Sequence, residues 1–264
     1  MNMGKLRSFA VKAIQKFRPR LGLRESDIIL ASFPKSGNTW MRFIWANIVS
    51  LKEMGGRRID FHYLMNDMIA NFDSYQFGRD EYNTVPRLVK THSKYCEKSF
   101  GNNRSIYILR HPGDVMSSYF EYVNSNKHQR SFESISEFIK SDVFGVESWC
   151  KHVKTWKDNT DVLVKYEDMK RDAPSVIENI FNKFNIDNIE SNIVNEAVKR
   201  SSFERLEKIE KRKGRPTQDK FSDDFQFMRK GEIGGWTEKM EEDDINYIYS
   251  KLKKEGLGNL YNMK

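Results

Sequence analysis

Residues 32–40 read SFPKSGNTW. A short apolar run, IILA at 28–31, leads in, and an apolar-rich run at 41–49 leads out. The first suits a buried strand. The second suits a helix, with Trp40, Ile44, Ile48 and Leu51 on one side. A strand-loop-helix junction exposes unpaired backbone amides and the positive end of a helix dipole. Gly37 lets the backbone come close to an oxyanion, and Lys35 adds a point charge. Ser36, Asn38 and Thr39 add donors. The stretch is built to grip an anion. It shares the physics of a P-loop without its letters, because no GxxxxGK[ST] pattern occurs and the lysine precedes the glycine. Taken alone, it also reads as a plain turn with a surface lysine.

Working outward, strands and helices alternate. Strands are expected at 27–32, 87–91, 105–110 and 162–166. Helices are expected at 39–52, from about 115, at 132–140, 146–158, 173–184 and 193–200, with Pro174 near a helix start. This alternation predicts an α/β fold, with a central parallel sheet covered by helices on both faces. Ligands of such sheets sit at the carboxyl ends of the strands. The loops after Ser32, Thr91, Arg110 and Tyr166 therefore share one rim.

Three further stretches belong to that rim. In IYILRHPGDVMSSYF (106–120) a strand ends in Arg110 and turns at Pro112-Gly113 into a helix, with Ser117 and Ser118 beyond. An arginine there can clamp a phosphate bidentately, and Asp114 reads as an N-cap rather than a ligand. In FMRKGEIGGW (227–236), Arg229, Lys230 and Gly231 repeat the chemistry; the charged, poorly periodic segment 204–230 could order over a ligand as a lid. Two or more anion grips on one rim point to a ligand with two separate phosphates. In VKTH (89–92), His92 is the one histidine of five that directly follows a rim strand, and Lys90 shares its sheet face by alternation. Histidine serves as a general base near neutral pH. His152, in an amphipathic run with Trp149 and Trp156, reads as structural.

Bulk properties narrow the class. The 264 residues suit one large α/β domain or two small ones, and 38% apolar with 13% aromatic content rules out a disordered composition. The net charge is +8, but residues 1–24 hold seven cations and no acid. The body is nearly neutral, so basicity does not indicate a nucleic-acid partner. In the basic arm, Leu6, Phe9, Ala10, Ala13, Ile14 and Phe17 recur at helical spacing. It reads as a short docked helix or frayed end, a weak membrane-surface helix, or a transit peptide. No run approaches 18 apolar residues and no signal peptide is visible. Two distant cysteines, Cys96 and Cys150, fit a reducing, cytoplasmic setting without structural zinc.

Together these blocks resemble the cytosolic-type sulfotransferases, which move a sulfuryl group from 3′-phosphoadenosine 5′-phosphosulfate (PAPS) to an acceptor and release 3′,5′-ADP (PAP). The resemblance runs from about Ser26 to Met240 in the family's order, and includes SW-x-x-HV-x-x-W (148–156), YEDMK (166–170) and SSF (201–203). It implies a basic arm at 1–24 and a sulfotransferase domain at 25–264, a single three-layer α/β/α, P-loop-NTPase-like unit. It also implies residue roles. Lys35, Ser36, Gly37, Asn38 and Thr39 would hold the 5′-phosphosulfate, with Trp40 near adenine. Arg110, Ser118, Arg229, Lys230 and Gly231 would hold the 3′-phosphate. Tyr166, Ser201 and Phe203 would line the adenine site, and Phe227 and Met228 belong to the late nucleotide contacts. His92 would be the base and Lys90 would flank the transferring group. Two departures stand out: Asn38 replaces the usual threonine, with an amide that can still donate, and Gly235 replaces the aspartate of GDW. No KTVE-type dimerisation segment is found, so the oligomeric state stays open.

The implied mechanism is in-line transfer. His92 removes the acceptor proton, Lys35 steadies the leaving oxygen and Lys90 the equatorial oxygens. Cations and amides supply the positive field, so no metal is required. The acceptor pocket is expected from 53–86 and 119–148, whose aromatics (Phe61, Tyr63, Phe72, Tyr75, Phe77, Tyr122, Phe144) suit a small-molecule hydroxyl. An amine or a carbohydrate remains open. A P-loop kinase, which would need Mg²⁺, and a non-catalytic nucleotide- or membrane-binding protein are the competing classes.

Overall fold

The computed structural model describes residues 22–77, 82–228 and 231–261. Five strands form one sheet in the order β2-β3-β1-β4-β5: β1 Ile28–Ser32, β2 Ala70–Asn71, β3 Leu88–Thr91, β4 Arg104–Leu109 and β5 Val162–Lys165. Every pairing is parallel. Four strands match the sequence reading within about a residue; β2 is too short to carry a periodicity.

β1 runs between β3 and β4 and is buried along its whole length. Its side chains alternate between two cores. Ile28 and Leu30 face one, Ile29 and Ala31 the other. β4 divides likewise, Ile106 and Ile108 against Tyr107 and Leu109. Burial on both faces is why these strands read as unbroken apolar runs.

Among the described residues, the α-helices of five or more residues are α1 Asn38–Glu53, α2 Pro112–Asn124, α3 Ile135–Ile139, α4 Val146–Trp156, α5 Tyr166–Phe184, α6 Ser191–Arg200, α7 Phe203–Lys213 and α8 Glu242–Lys254. The first face is packed by α1, α5, α6 and α7 through residues such as Ile44, Ile48, Ile177, Val194 and Leu206. The second is packed by α2, α3, α4 and α8 through Val115, Phe138, Trp149, Trp156 and Ile248. Each fully buried aliphatic of this size contributes about 1.5–3 kcal/mol. The result is the expected three-layer arrangement, with β1 and α1 at its centre.

Two readings change. Tyr166, taken as the end of a strand, begins α5, which kinks at Asp172 (φ −154°, ψ 78°). Asp172 accepts from the Ser175 amide at 3.2 Å and so caps the second segment, where Pro174 sits as expected. Segment 204–230 is not irregular throughout, because Ser202 caps α7 by accepting from the Arg205 amide. Apart from Glu210, which is buried with Leu206, its charges lie on the outer side of an amphipathic helix.

Among the described residues, no helix is long and apolar enough to cross a membrane. Cys96 is exposed, Cys150 is buried, and both are free thiols. The membrane-contact reading of the basic arm falls on residues 1–21, outside the described ones.

Candidate active site

Parallel strands put their carboxyl ends on one rim, and each supplies a piece of the site. After β1 the chain turns through Lys35 (φ 68°) to Gly37 (φ 104°), the N-cap of α1. A Cβ on Gly37 would lie 2.5 Å from Cδ2 of Tyr166, so both backbone angle and space require glycine. No acid occupies the first turn of α1, which leaves its positive end uncompensated. The Ser36 hydroxyl is buried and has no hydrogen-bond partner among the described residues.

Arg110, after β4, is tied to this loop. Its Nη1 donates to the Lys35 carbonyl (3.2 Å), its Nη2 donates to the Glu232 carbonyl (2.8 Å), and its guanidinium lies 4.3 Å over the Tyr166 ring. Its Nε is buried without a partner among the described residues. Tyr166 in turn donates its hydroxyl to the Gly231 carbonyl. Gly231 (φ 60°) packs against Phe203, whose ring would meet a Cβ at 2.8 Å.

The loop after β3 is held from three sides. Nδ1 of His92 lies 2.8 Å from the Ser32 carbonyl. A carbonyl only accepts, so Nδ1 carries the proton and Nε2 keeps its lone pair. The His92 carbonyl accepts from Nε2 of His152, whose Nδ1 accepts from the Tyr107 hydroxyl. The Ser93 carbonyl accepts from the Trp156 indole. From the opposite side, Asp73 accepts from Lys90 Nζ and the His92 amide, both at 2.9 Å, and from the hydroxyls of Thr91 and Ser93.

The charge states follow. Desolvation by the surrounding protein, together with the Lys90 charge, pushes the His92 imidazole down to about 3, so it is neutral. Burial lowers Lys90 as well, against the opposing pull of Asp73. Burial alone would raise Asp73, but the Lys90 charge and its hydrogen bonds to Lys90 and Thr91 outweigh that and hold it at about 2.

These pieces open on one cavity of about 470 Å³. Lys35, Gly37, Asn38, Thr39 and Trp40 line one part, Lys90 and His92 another, and Arg110, Ser118 and Tyr166 a third. Among the described residues, no group of three or more His, Cys, Asp or Glu side chains is placed to hold a metal ion.

Residues 25–257 match the model of the sulfotransferase domain. The chain belongs to the sulfotransferase family. It is 31% identical to sulfotransferase 1 family member D1 of Rattus norvegicus, over 88% of this chain and 86% of the relative. Mouse sulfotransferase SULT7A1, solved as a complex with PAP, superposes with a TM-score of 0.67 at 22% identity, covering 92% of this chain and 88% of that one. Retinol dehydratase, solved with androsterone and inactive cofactor PAP, gives the same TM-score at 18% identity, covering 96% and 86%.

In this sulfotransferase the cavity gathers most of the residues singled out from sequence, including Ser201, Phe203, Phe227, Met228 and Gly231. Ser36 lies behind the wall rather than in it. Arg229 and Lys230 lie outside the described residues. The Asn38 amide points back into the fold, donating to the Leu30 carbonyl and to Ser32 Oγ, so toward the cavity Asn38 offers its backbone N–H. Asp114 is not the N-cap of α2. That position is His111, whose Nδ1 accepts from the Gly113 amide, while Asp114 accepts from the Gly234 amide and faces Arg110 at 4.0 Å. Proline at the first helical position moved the cap three residues upstream.

Of the aromatics expected around the acceptor, Phe61 and Tyr122 reach the cavity, joined by Tyr119 and Met65. Sequence reasoning missed Asp73, Arg42 and Arg215. Asp73 follows a two-residue strand, Arg42 sits in a helix and Arg215 in a basic run, and none carries a motif.

Proposed function

We propose that the chain transfers the sulfuryl group of PAPS to a hydroxyl of a small-molecule acceptor, with His92 as the general base. The observation that carries this reading is the pairing of His92 Nδ1 with the Ser32 carbonyl. It leaves an unprotonated Nε2 on the wall of the cavity that Lys35 and Lys90 also line. The buried, unpartnered Nε of Arg110, on the cavity wall, fits an anionic, twice-phosphorylated nucleotide. Both solved relatives named above were solved with PAP, in line with that choice.

The donor supplies an activated sulfuryl group. The protein's contribution is position and charge. Lys35, Gly37, Asn38 and Thr39 would hold the 5′ end through backbone amides and the ammonium. Arg110, Ser118, Arg229, Lys230 and Gly231 would hold the 3′-phosphate, and Trp40, Tyr166, Ser201 and Phe203 the adenosine. His92 takes the acceptor proton on Nε2, and the Ser32 carbonyl stabilises the resulting imidazolium through Nδ1–H. Lys90 stands beside His92, held there by Asp73. Lys35, whose ammonium lies 3.6 Å from the centre of the Phe227 ring, provides the charge for the departing oxygen. This positive field supports a reaction without a metal.

The test incubates the full chain with PAPS and a mixed panel of phenols, alcohols, amines and sugars, with and without a chelator. PAP and a sulfated product, unaffected by the chelator, are expected. Loss of activity on chelation would favour a kinase-like reaction, and PAP binding with no product from any acceptor would favour a binding protein.

A further inference from the structure

The cavity wall contains two arginines that the donor assignment does not use. Arg42 is on the second turn of α1, and Arg215 follows α7. Each is only 8% exposed, and each lines the cavity. Arg42 donates from Nη2 to the Thr39 hydroxyl at 2.8 Å, and its Nε has no partner among the described residues. Arg215 lies 3.9 Å from the centre of the Phe227 ring, and its Nε and Nη1 both lack a partner there. Glu210, the nearest carboxylate to influence Arg215, spends its two oxygens on the amides of Phe227 and Met228.

This arrangement is costly on its own. Buried N–H donors left unmade carry a penalty, and two buried like charges repel. Burial and the nearby Arg215 charge together bring Arg42 down to about 10. Arg42 also disfavours protonation of Lys90 and of His92, so it lies near both. Arg215 lies further out, within 6.0 Å of the ring centres of Phe61 and Phe221 as well as Phe227. Two buried guanidiniums with unmade N–H bonds on the wall of one cavity call for an anion, and forked guanidiniums suit carboxylate, phosphate or sulfate oxygens.

We propose that the acceptor carries its own anionic group, and that Arg215 and Arg42 bind it while the hydroxyl faces His92. This rests on the sulfotransferase reading and narrows its acceptor class. The donor could also draw on these arginines, so donor and acceptor affinities must be measured separately.

The experiment uses two matched pairs, 4-hydroxyphenylacetate against its amide and 6-hydroxyhexanoate against its amide. Each is titrated calorimetrically into the full chain saturated with PAP, and then assayed for turnover with PAPS. The anions are expected to bind the wild type at least roughly tenfold more tightly than the amides, the scale of hydrogen bonds to charged groups. R215Q should remove most of that preference, and R215K, which keeps charge but loses the fork, should retain part of it. PAP affinity should stay within about twofold in R215Q, as for any side chain that does not touch the nucleotide. Equal or weaker binding of the anions to the wild type would overturn the proposal, as would an intact preference in R215Q. A loss of PAP affinity in R215Q matching its loss of acceptor affinity would also overturn it, assigning the arginine to the donor. Because binding is read without turnover, anion preference with no sulfated product would count against the transferase reading and leave the arginine site standing.

Discussion

Asp73 accepts from both the Lys90 ammonium and the His92 backbone amide through a single oxygen, at 2.9 Å each. One carboxylate thus fixes the two groups that flank the proposed transfer centre, and its negative charge offsets the positive charge of Lys90 inside the protein. An Asp73→Asn substitution keeps the shape and removes the charge. Leaving such a partner uncompensated costs about 1–3 kcal/mol, which as a loss of kcat is roughly fivefold to 150-fold. PAP affinity should hold. Steady-state kinetics alongside calorimetry with PAP would check this, and an unchanged kcat would remove Asp73 from the positioning machinery.

Gly37 is the tightest point of the anion loop. In Gly37→Ala the new Cβ meets Tyr166 at 2.5 Å and the residue must hold a φ of 104°. Strain of this kind costs about 1–3 kcal/mol, either from stability or from PAP affinity once Tyr166 moves. Chemical denaturation and calorimetry of the same sample would show which. A variant unchanged in both would contradict the loop geometry.

The lowered pKa of His92 sets a pH profile. In the proposed mechanism the neutral imidazole is the active base, and its pKa lies below the ordinary value, so protonation begins late as the pH falls. For the free enzyme, kcat/KM should stay level through about pH 6.5, the ordinary histidine pKa, and fall only well below it. An acid limb centred at or above that value would show that His92 is solvated, or that another group titrates.

Three histidines resist protonation in the fold: His92, brought to about 3, and His111 and His152, each brought by burial to about 4. Their folded values lie below the unfolded one, so the unfolded chain takes up protons first. The stability they confer is complete above the unfolded pKa and drains as pH falls toward 4. Each can contribute a slope of up to about 1.4 kcal/mol per pH unit in that window. Denaturant midpoints followed from neutral pH downward should fall, and a flat profile would contradict the neutral buried state of these rings.

How much of this was legible in the sequence depended on periodicity and on spacing. The sheet and its rim could be read because β1, β3 and β4 are buried runs with short, punctuated loops. That one cavity gathers Lys35, Gly37, His92 and Arg110 could be read because all four occur at strand ends, where residue type and position together imply chemistry. Asp73 could not, since its significance comes from β2 lying beside β3, a pairing of two residues. Arg42 and Arg215 are 173 positions apart and meet only through the fold. Asp114 misled because an acid near a helix start usually caps it, whereas here Pro112 hands that role to His111.

The central claim is that Nε2 of His92 accepts the acceptor proton in a cavity whose donor grip is separate. The most direct measurement is single-turnover sulfuryl transfer from PAPS in wild type and His92→Ala, alongside the calorimetric affinity of each for PAP. The expected result is a chemical step slowed by about 10²- to 10⁴-fold, the usual contribution of a general base, with PAP affinity within about twofold, since the ring does not hold the nucleotide. A transfer rate near that of wild type, with PAP still bound, would contradict the assignment.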